Sequence, residues 1–194
     1  MAPDKLHGLV LSGGESRRMG QDKGLISTGS VAWVNRAGKL LQHIGLPVAV
    51  MIREEQKSAY SAEVLSEFEL IADHPLPVGG PLRGLLSFHR LYPQSDVLVL
   101  PCDMPKLAVE VPEALIAFYL KNPEYEAWVY EHQKVLQPFP GIFSAQLLAA
   151  VRVKIEKGRL AGHGLTRLLN SSKTAHLVSV DETSFRNFNS PHDF

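Results

Sequence analysis

The chain alternates short, wholly apolar runs with longer stretches in which apolar residues recur every three or four positions. Leu9-Val10-Leu11 is the first run and reads as a buried strand. Trp33, Val34, Ala37, Leu40, Leu41 and Ile44 then recur at helical spacing, and Gly45 stands where a C-terminal cap belongs. Residues 47–52 read as a second strand. Residues 54–66 read as a polar helix with Tyr60, Val64 and Leu65 inward. A third short strand over 69–72 ends at Asp73-His74-Pro75. Residues 81–92 open with proline, as a first helical turn can, and bury Leu82, Leu85, Leu86 and Phe88. Val97-Leu98-Val99-Leu100 is apolar throughout, as a central parallel strand must be. This repeated strand–helix–strand order predicts an α/β fold with a parallel, doubly wound sheet and right-handed crossovers.

The final third is less regular. Residues 112–121 read as a helix with Leu115, Ile116 and either Phe118 or Tyr119 inward. Residues 127–131 and 135–137 pair as a hairpin around His132-Gln133. A helix over 144–157 has serine at its cap and Gly158 beyond its end. A short helix over 165–169 and a strand over 176–180 complete the pattern. There is no internal repeat, low-complexity tract or linker, so one domain spanning residues 1–194 is expected.

Chemistry concentrates just after the first strand. Gly13-Gly14 lets the backbone turn sharply and bare its amides, and Arg17, Arg18 and Lys23 follow within ten residues. An amide-lined loop with three cations suits a polyanion such as a triphosphate. Read alone, a Gly-Gly pair is a turn beside solvated charges. The cations directly after a strand favour the anion site. The spacing fits neither a Walker A loop nor a dinucleotide fingerprint. Asp103, in Pro101-Cys102-Asp103-Met104-Pro105, sits just past the apolar run 97–100. Ligands bind beyond the carboxyl ends of parallel strands, so this carboxylate can converge with the glycine loop and anchor Mg²⁺. Cys102 reads as a small buried hydrophobe, since no histidine partner is identifiable. The eight histidines show no metal-ligand spacing, and His74 reads as a turn residue.

Composition narrows the class. Hydrophobic residues make up 45% and charged residues 21%, ordinary for a soluble globular protein. Formal net charge is zero, which argues against a general nucleic-acid footprint and makes any anion site local. A single cysteine permits no intrachain disulfide and fits a cytoplasmic setting. The N-terminal residues lack a signal-peptide layout, and no apolar run reaches membrane-spanning length.

The segment from Leu11 to Lys23 resembles the signature of the MobA-like nucleotidyltransferases, the molybdenum cofactor guanylyltransferase family. That signature reads Leu-Ala-Gly-Gly, a few residues, Arg-Arg-Met-Gly, then Asp-Lys; Ser12 stands here where alanine is usual. The family's Pro-Cys-Asp-x-Pro is intact at 101–105, and Asn187-Phe188-Asn189-Ser190-Pro191 resembles its Asn-x-Asn-Thr-Pro. Asp73 and the segment 80–84 match its nucleotide-site aspartate and the glycine–proline stretch that follows.

The resemblance implies a three-layer, mostly parallel, Rossmann-like sheet of the nucleotide-diphospho-sugar transferase type. It implies GMP transfer from GTP to the phosphate of molybdopterin, with Mg²⁺ as cofactor and other molybdenum cofactor biosynthesis proteins as partners. Arg18, Lys23 and Asp103 would be catalytic, and Asp103 would hold the metal. Leu11, Ser12, Gly13, Gly14, Lys23, Asp73 and Asp103 would bind the nucleotide, while Arg18, Asn187 and Asn189 would face the acceptor. Met51 stands where the family often places a nucleotide-contacting asparagine. Three alternatives therefore stay open: a cytidylyltransferase, a sugar-phosphate nucleotidyltransferase, and a non-catalytic nucleotide-binding relative.

Overall fold

The computed structural model describes residues 3–13, 22–160, 162–178, 185 and 188. β1 (Leu6–Leu11) leads through a one-turn 3-10 helix (Lys23–Leu25) to a small antiparallel ribbon, β2 (Ser27–Thr28) with β3 (Val31–Ala32). Then follow α1 (Trp33–His43), β4 (Val48–Ile52), α2 (Lys57–Glu63), β5 (Glu69–Ala72), α3 (Gly80–Leu91) and β6 (Asp96–Pro101). The remainder is α4 (Glu110–Lys121), β7 (Ala127–His132), β8 (Val135–Phe143), α5 (Ala145–Glu156), α6 (Leu165–Asn170) and β9 (Thr174–Val178).

Seven strands form one sheet in the order β5-β4-β1-β6-β8-β7-β9. The pairs β1–β4, β1–β6, β4–β5 and β7–β9 are parallel, and β8 runs antiparallel to β6 and β7. Parallel neighbours need crossovers, and the helices supplying them cover both faces. Leu6, Val10 and Leu98 pack on one face with Val34 and Leu41 of α1 and Leu115 and Tyr119 of α4. Leu9, Val97 and Val99 pack on the other with Leu82 and Leu85 of α3, Leu148 of α5 and Leu168 of α6. This is the expected three-layer arrangement. It explains why Val97 to Leu100 carry no polar residue: each is 0–1% exposed.

The chain steps from β1 outward to β4 and β5, then returns through α3 to β6 on the other side of β1. The order of connection therefore reverses between β1 and β6. Their carboxyl ends form the switch-point crevice where ligands bind in open α/β sheets. At the opposite end of β6, Asp96 is 4% exposed and receives hydrogen bonds from Tyr119 Oη (2.7 Å) and Ala145 N (2.9 Å), with Lys5 Nζ at 3.1 Å. That carboxylate ties α4 and α5 to the sheet.

Four expectations shift. The helix predicted over 54–66 is a 3-10 turn (Glu54–Gln56) followed by α2, which ends at Glu63; Tyr60 alone of its three inward residues is fully buried. The hairpin turn is Gln133-Lys134, one residue later than predicted, both with positive φ as a two-residue turn demands. β8 runs to Phe143, six residues past the predicted end at Gln137, and includes Pro138 and Pro140. Those prolines fall where the β7–β8 register jumps from Tyr130↔Gln137 to Trp128↔Ile142, so no ladder donor is required of them. β9 starts two residues before the predicted strand, and 179–180 lie outside the described residues.

Candidate active site

At the end of β1 the backbone stays clamped between its neighbours. Ser12 N donates to Met51 O at 3.0 Å, and Cys102 N donates to Leu11 O at 3.1 Å. Lys23 returns to this point, and its Nζ lies 3.0 Å from Asp103 Oδ2. The side chains are only 19% and 18% exposed, so the pair sits inside the crevice rather than on its rim.

A buried polar network fixes the segment carrying Lys23. Asp22 caps the 3-10 turn by accepting from Gly24 N at 3.1 Å. Its other oxygen accepts from Gln56 Nε2, which also donates to Ser12 O at 3.2 Å. Tyr60 Oη donates to Asp22 Oδ1 at 2.5 Å and shares a 2.7 Å hydrogen bond with Ser12 Oγ. A phenol has one proton, so Ser12 must donate to Tyr60 while Tyr60 donates to Asp22. Burial, reinforced by the bond to Asp22, pushes the Tyr60 phenol well above its ordinary range and keeps that proton in place. Gly24 packs directly on this network. A Cβ there would fall 2.0 Å from Ser12 Oγ and 2.3 Å from Tyr60 Oη, so only glycine fits.

A pocket of about 600 Å³ opens from this point. Its volume lies within the roughly 300–1,000 Å³ common for small-molecule sites. Leu11, Ser12, Gly13, Lys23, Asp73 and Asp103 all line it, so the structure brings together every expected site residue that it describes. Gly14, Arg17, Arg18, Asn187 and Asn189 lie outside the described residues. Phe188, between those asparagines, donates its N–H to Asp103 O at 2.9 Å and sets its ring edge-on to Trp33 at 5.9 Å.

Among the described residues, Lys23, Arg53 and Arg83 line the pocket together with the carboxylates of Asp73 and Asp103. Burial raises the Asp73 carboxyl above the ordinary range, with Arg83 and Arg53 opposing the shift. Burial also pushes the Cys102 thiol up to about 12, which keeps it neutral, as expected of a small buried hydrophobe. His74 turns toward Arg90. Among the described residues no group of three or more His, Cys, Asp or Glu could hold a metal by itself. Among the described residues the pocket carboxylates are Asp73 and Asp103; Asp103, past the end of β6, is a hard oxygen ligand of the kind that fits Mg²⁺ when phosphates supply further oxygens.

The model of the MobA-like NTP transferase domain matches residues 8–176. This chain belongs to that family. A MobA-like relative from Methanothermobacter thermautotrophicus, described as a probable molybdenum cofactor guanylyltransferase, is 30% identical and aligned over 95% of this chain and 94% of its own. The solved molybdopterin-guanine dinucleotide biosynthesis protein A of Archaeoglobus fulgidus shares the fold with a TM-score of 0.75, at 20% identity over 96% of this chain and 94% of that one. A Mycobacterium tuberculosis structure described as a manganese complex superposes with a TM-score of 0.64, at 17% identity over 90% and 88% of the two chains. A MobA-like chain of this kind is a nucleotidyltransferase. No helix among its described residues is long and apolar enough to cross a membrane.

Two residues of this MobA-like site, Arg53 and Phe139, were not singled out from the sequence. Met51 is 1% exposed and sits under α3, where Gly84 comes so close that a Cβ would lie 2.9 Å from Leu11 Cδ2 and 3.2 Å from Met51 Cγ. The polar residue on the same side of the extended chain is Arg53, two positions on. Its place beyond a parallel strand end was the available signal. Phe139 of β8 also lines the pocket, and nothing in its sequence neighbourhood pointed there.

Proposed function

We propose that this chain transfers GMP from GTP to molybdopterin, yielding molybdopterin guanine dinucleotide and pyrophosphate. The observation that carries the reading is the Lys23–Asp103 pair, 3.0 Å apart at the switch point and inside a pocket of nucleotide size. The near full-length similarity to a probable guanylyltransferase supports the choice of substrates.

A terminal phosphate oxygen of the acceptor forms a bond to the α-phosphorus of GTP. The bond from that phosphorus to the bridging oxygen breaks, and pyrophosphate leaves with the electron pair. Such chemistry needs alignment and charge neutralisation more than a protein nucleophile. Gly13 and Gly14 present amides to the phosphates. Lys23 neutralises the triphosphate, and Arg18 the acceptor phosphate. Leu11 and Ser12 border the base through backbone groups, and Asp73 holds the nucleotide. Asn187 and Asn189 orient the acceptor. A bound Mg²⁺ or Mn²⁺ would supply positive charge at the phosphates, and Asp103 would hold it. Before nucleotide arrives, Lys23 holds Asp103 and offsets a carboxylate that would otherwise repel the phosphates.

Isothermal titration with GTP, CTP, ATP and UTP in one Mg²⁺ buffer tests the reading. GTP is expected to bind most tightly. Tighter binding of CTP would transfer the chain to the cytidylyl branch.

A further inference from the structure

Lys23 and Asp103 arrive from segments 80 residues apart, and a third segment ties the two together. Phe188 is 3% exposed and forms a small apolar cluster with Ile26 and Trp33, outside the two main cores. Ile26 N donates to Lys23 O at 3.2 Å, and Trp33 N donates to Ile26 O at 2.9 Å. The Trp33 ring meets Phe188 edge-on, at 5.9 Å and 87°. Phe188 N–H donates to Asp103 O at 2.9 Å, and Lys106 Nζ lies 5.2 Å from the centre of the Phe188 ring. These contacts close a circuit from Lys23 through Ile26, Trp33 and Phe188 to Asp103, and back across the 3.0 Å ion pair.

A carboxylate that holds a metal needs a fixed backbone, since a functional group must be kept within about 0.5 Å of its productive place. β6 ends at Pro101, and Cys102 N–H still bonds Leu11 O. One residue on, the carbonyl of Asp103 is held by Phe188, and the chain then turns, with Leu107 N donating to Met104 O at 3.1 Å. The bond from Phe188 is a backbone one, so its alignment depends on where the ring is seated. Ile26 and Trp33 make that seat from the Lys23 segment, and Lys106 makes it from the Asp103 segment. An edge-on aromatic pair and a cation over a ring each favour one orientation. A side chain that only filled space would need neither, and leucine would serve.

Resting on the reading of Asp103 as the metal ligand, we propose that Phe188 is a positioning residue that sets the Asp103 carboxylate for the metal and keeps it within reach of Lys23. It acts through Asp103 and not on the substrate. The family resemblance assigns Asn187 and Asn189 to the acceptor and gives residue 188 no part.

The test is the gain in GTP affinity that Mg²⁺ brings. It is measured by titrating GTP in Mg²⁺ and in EDTA into wild type, Asp103→Ala, Phe188→Ala and Phe188→Leu, each checked by its unliganded melting temperature. Wild type should show the gain, and Asp103→Ala should lack most of it. Phe188→Ala should cut the gain by about fivefold or more, the worth of about one hydrogen bond, while its affinity in EDTA stays within about twofold of wild type. Phe188→Leu, which keeps apolar bulk without a ring, should cut the gain too. A merely structural role would lower the melting temperature, or weaken GTP equally in both buffers, and leave the gain intact; that result in either folded variant overturns the proposal. If Phe188→Ala does not fold, Phe188→Leu decides. No gain in wild type would remove Asp103 as metal ligand, and the proposal with it. A gain that Phe188→Leu cuts, beside no pyrophosphate release by wild type from GTP and molybdopterin, would overturn the guanylyltransferase reading and leave the positioning role standing.

Discussion

Tyr60→Phe removes one oxygen from the network that holds Lys23 in place. Tyr60 is 0% exposed, and its hydroxyl joins Ser12 Oγ at 2.7 Å to Asp22 Oδ1 at 2.5 Å. The substitution adds no bulk, so the loss is confined to those two bonds. Asp22 keeps Gln56 and Gly24 N, but loses a hydrogen bond to a carboxylate, worth about 1.5–3 kcal/mol. A domain of this size loses about 2–4 °C of melting temperature per kcal/mol, so the midpoint should fall by about 3–12 °C. Turnover should fall as well, because Lys23 directly follows Asp22. The pH dependence carries a sign. The folded-state phenol titrates above its unfolded value of 10.0, so the advantage of wild type over Tyr60→Phe is complete below pH 10. It shrinks as pH climbs above that value, because only the unfolded chain ionises there. Thermal melts of both proteins from pH 7 to pH 11 measure this directly. Equal midpoints at pH 7, or a gap that widens at alkaline pH, would refute the reasoning.

Gly24→Ala should destabilise the protein by about 1–3 kcal/mol and weaken GTP binding, because its Cβ meets Ser12 Oγ at 2.0 Å; chemical denaturation and titration check both effects. Asp73→Asn should raise stability at pH 7 while weakening nucleotide binding. The Asp73 carboxyl is held above its unfolded value, so the ionised form costs stability above that window, and the gain from the amide should vanish as pH falls below the carboxylate range; melts at pH 7 and pH 3.5 show it. Lys23→Ala should lower turnover by about ten- to a thousandfold, the loss expected for a charge-assisted phosphate contact, and Lys23→Arg should restore little of it. Steady-state rates measure both.

Most of the scaffold was legible because each strand of the parallel half is bracketed by water-excluding layers. Val97 to Leu100 could only be central, and Asp103 just beyond could only reach the switch point. The same logic placed Lys23 near Asp103, although 80 residues separate them. What escaped is long-range and polar. Tyr60 shows helical spacing as an inward residue, but its hydroxyl partners, Ser12 and Asp22, are set by how α2 docks on β1. Gln56 reads as a surface residue until the 3-10 turn tucks it beneath Ser12 O. The extension of β8 through Pro138 and Pro140 escaped because a bulge leaves no trace in local composition. Arg53 went unread because Met51 occupies the position where a polar contact was sought.

The central claim is nucleotidyl transfer at the Lys23–Asp103 centre, and pyrophosphate release tests it most directly. Wild type and Asp103→Ala would be compared with GTP, molybdopterin and saturating Mg²⁺. The account predicts stoichiometric pyrophosphate and guanine dinucleotide from wild type, and neither from an Asp103→Ala protein that melts cooperatively. Near-normal release by that folded variant, or none by wild type with this acceptor, would contradict it.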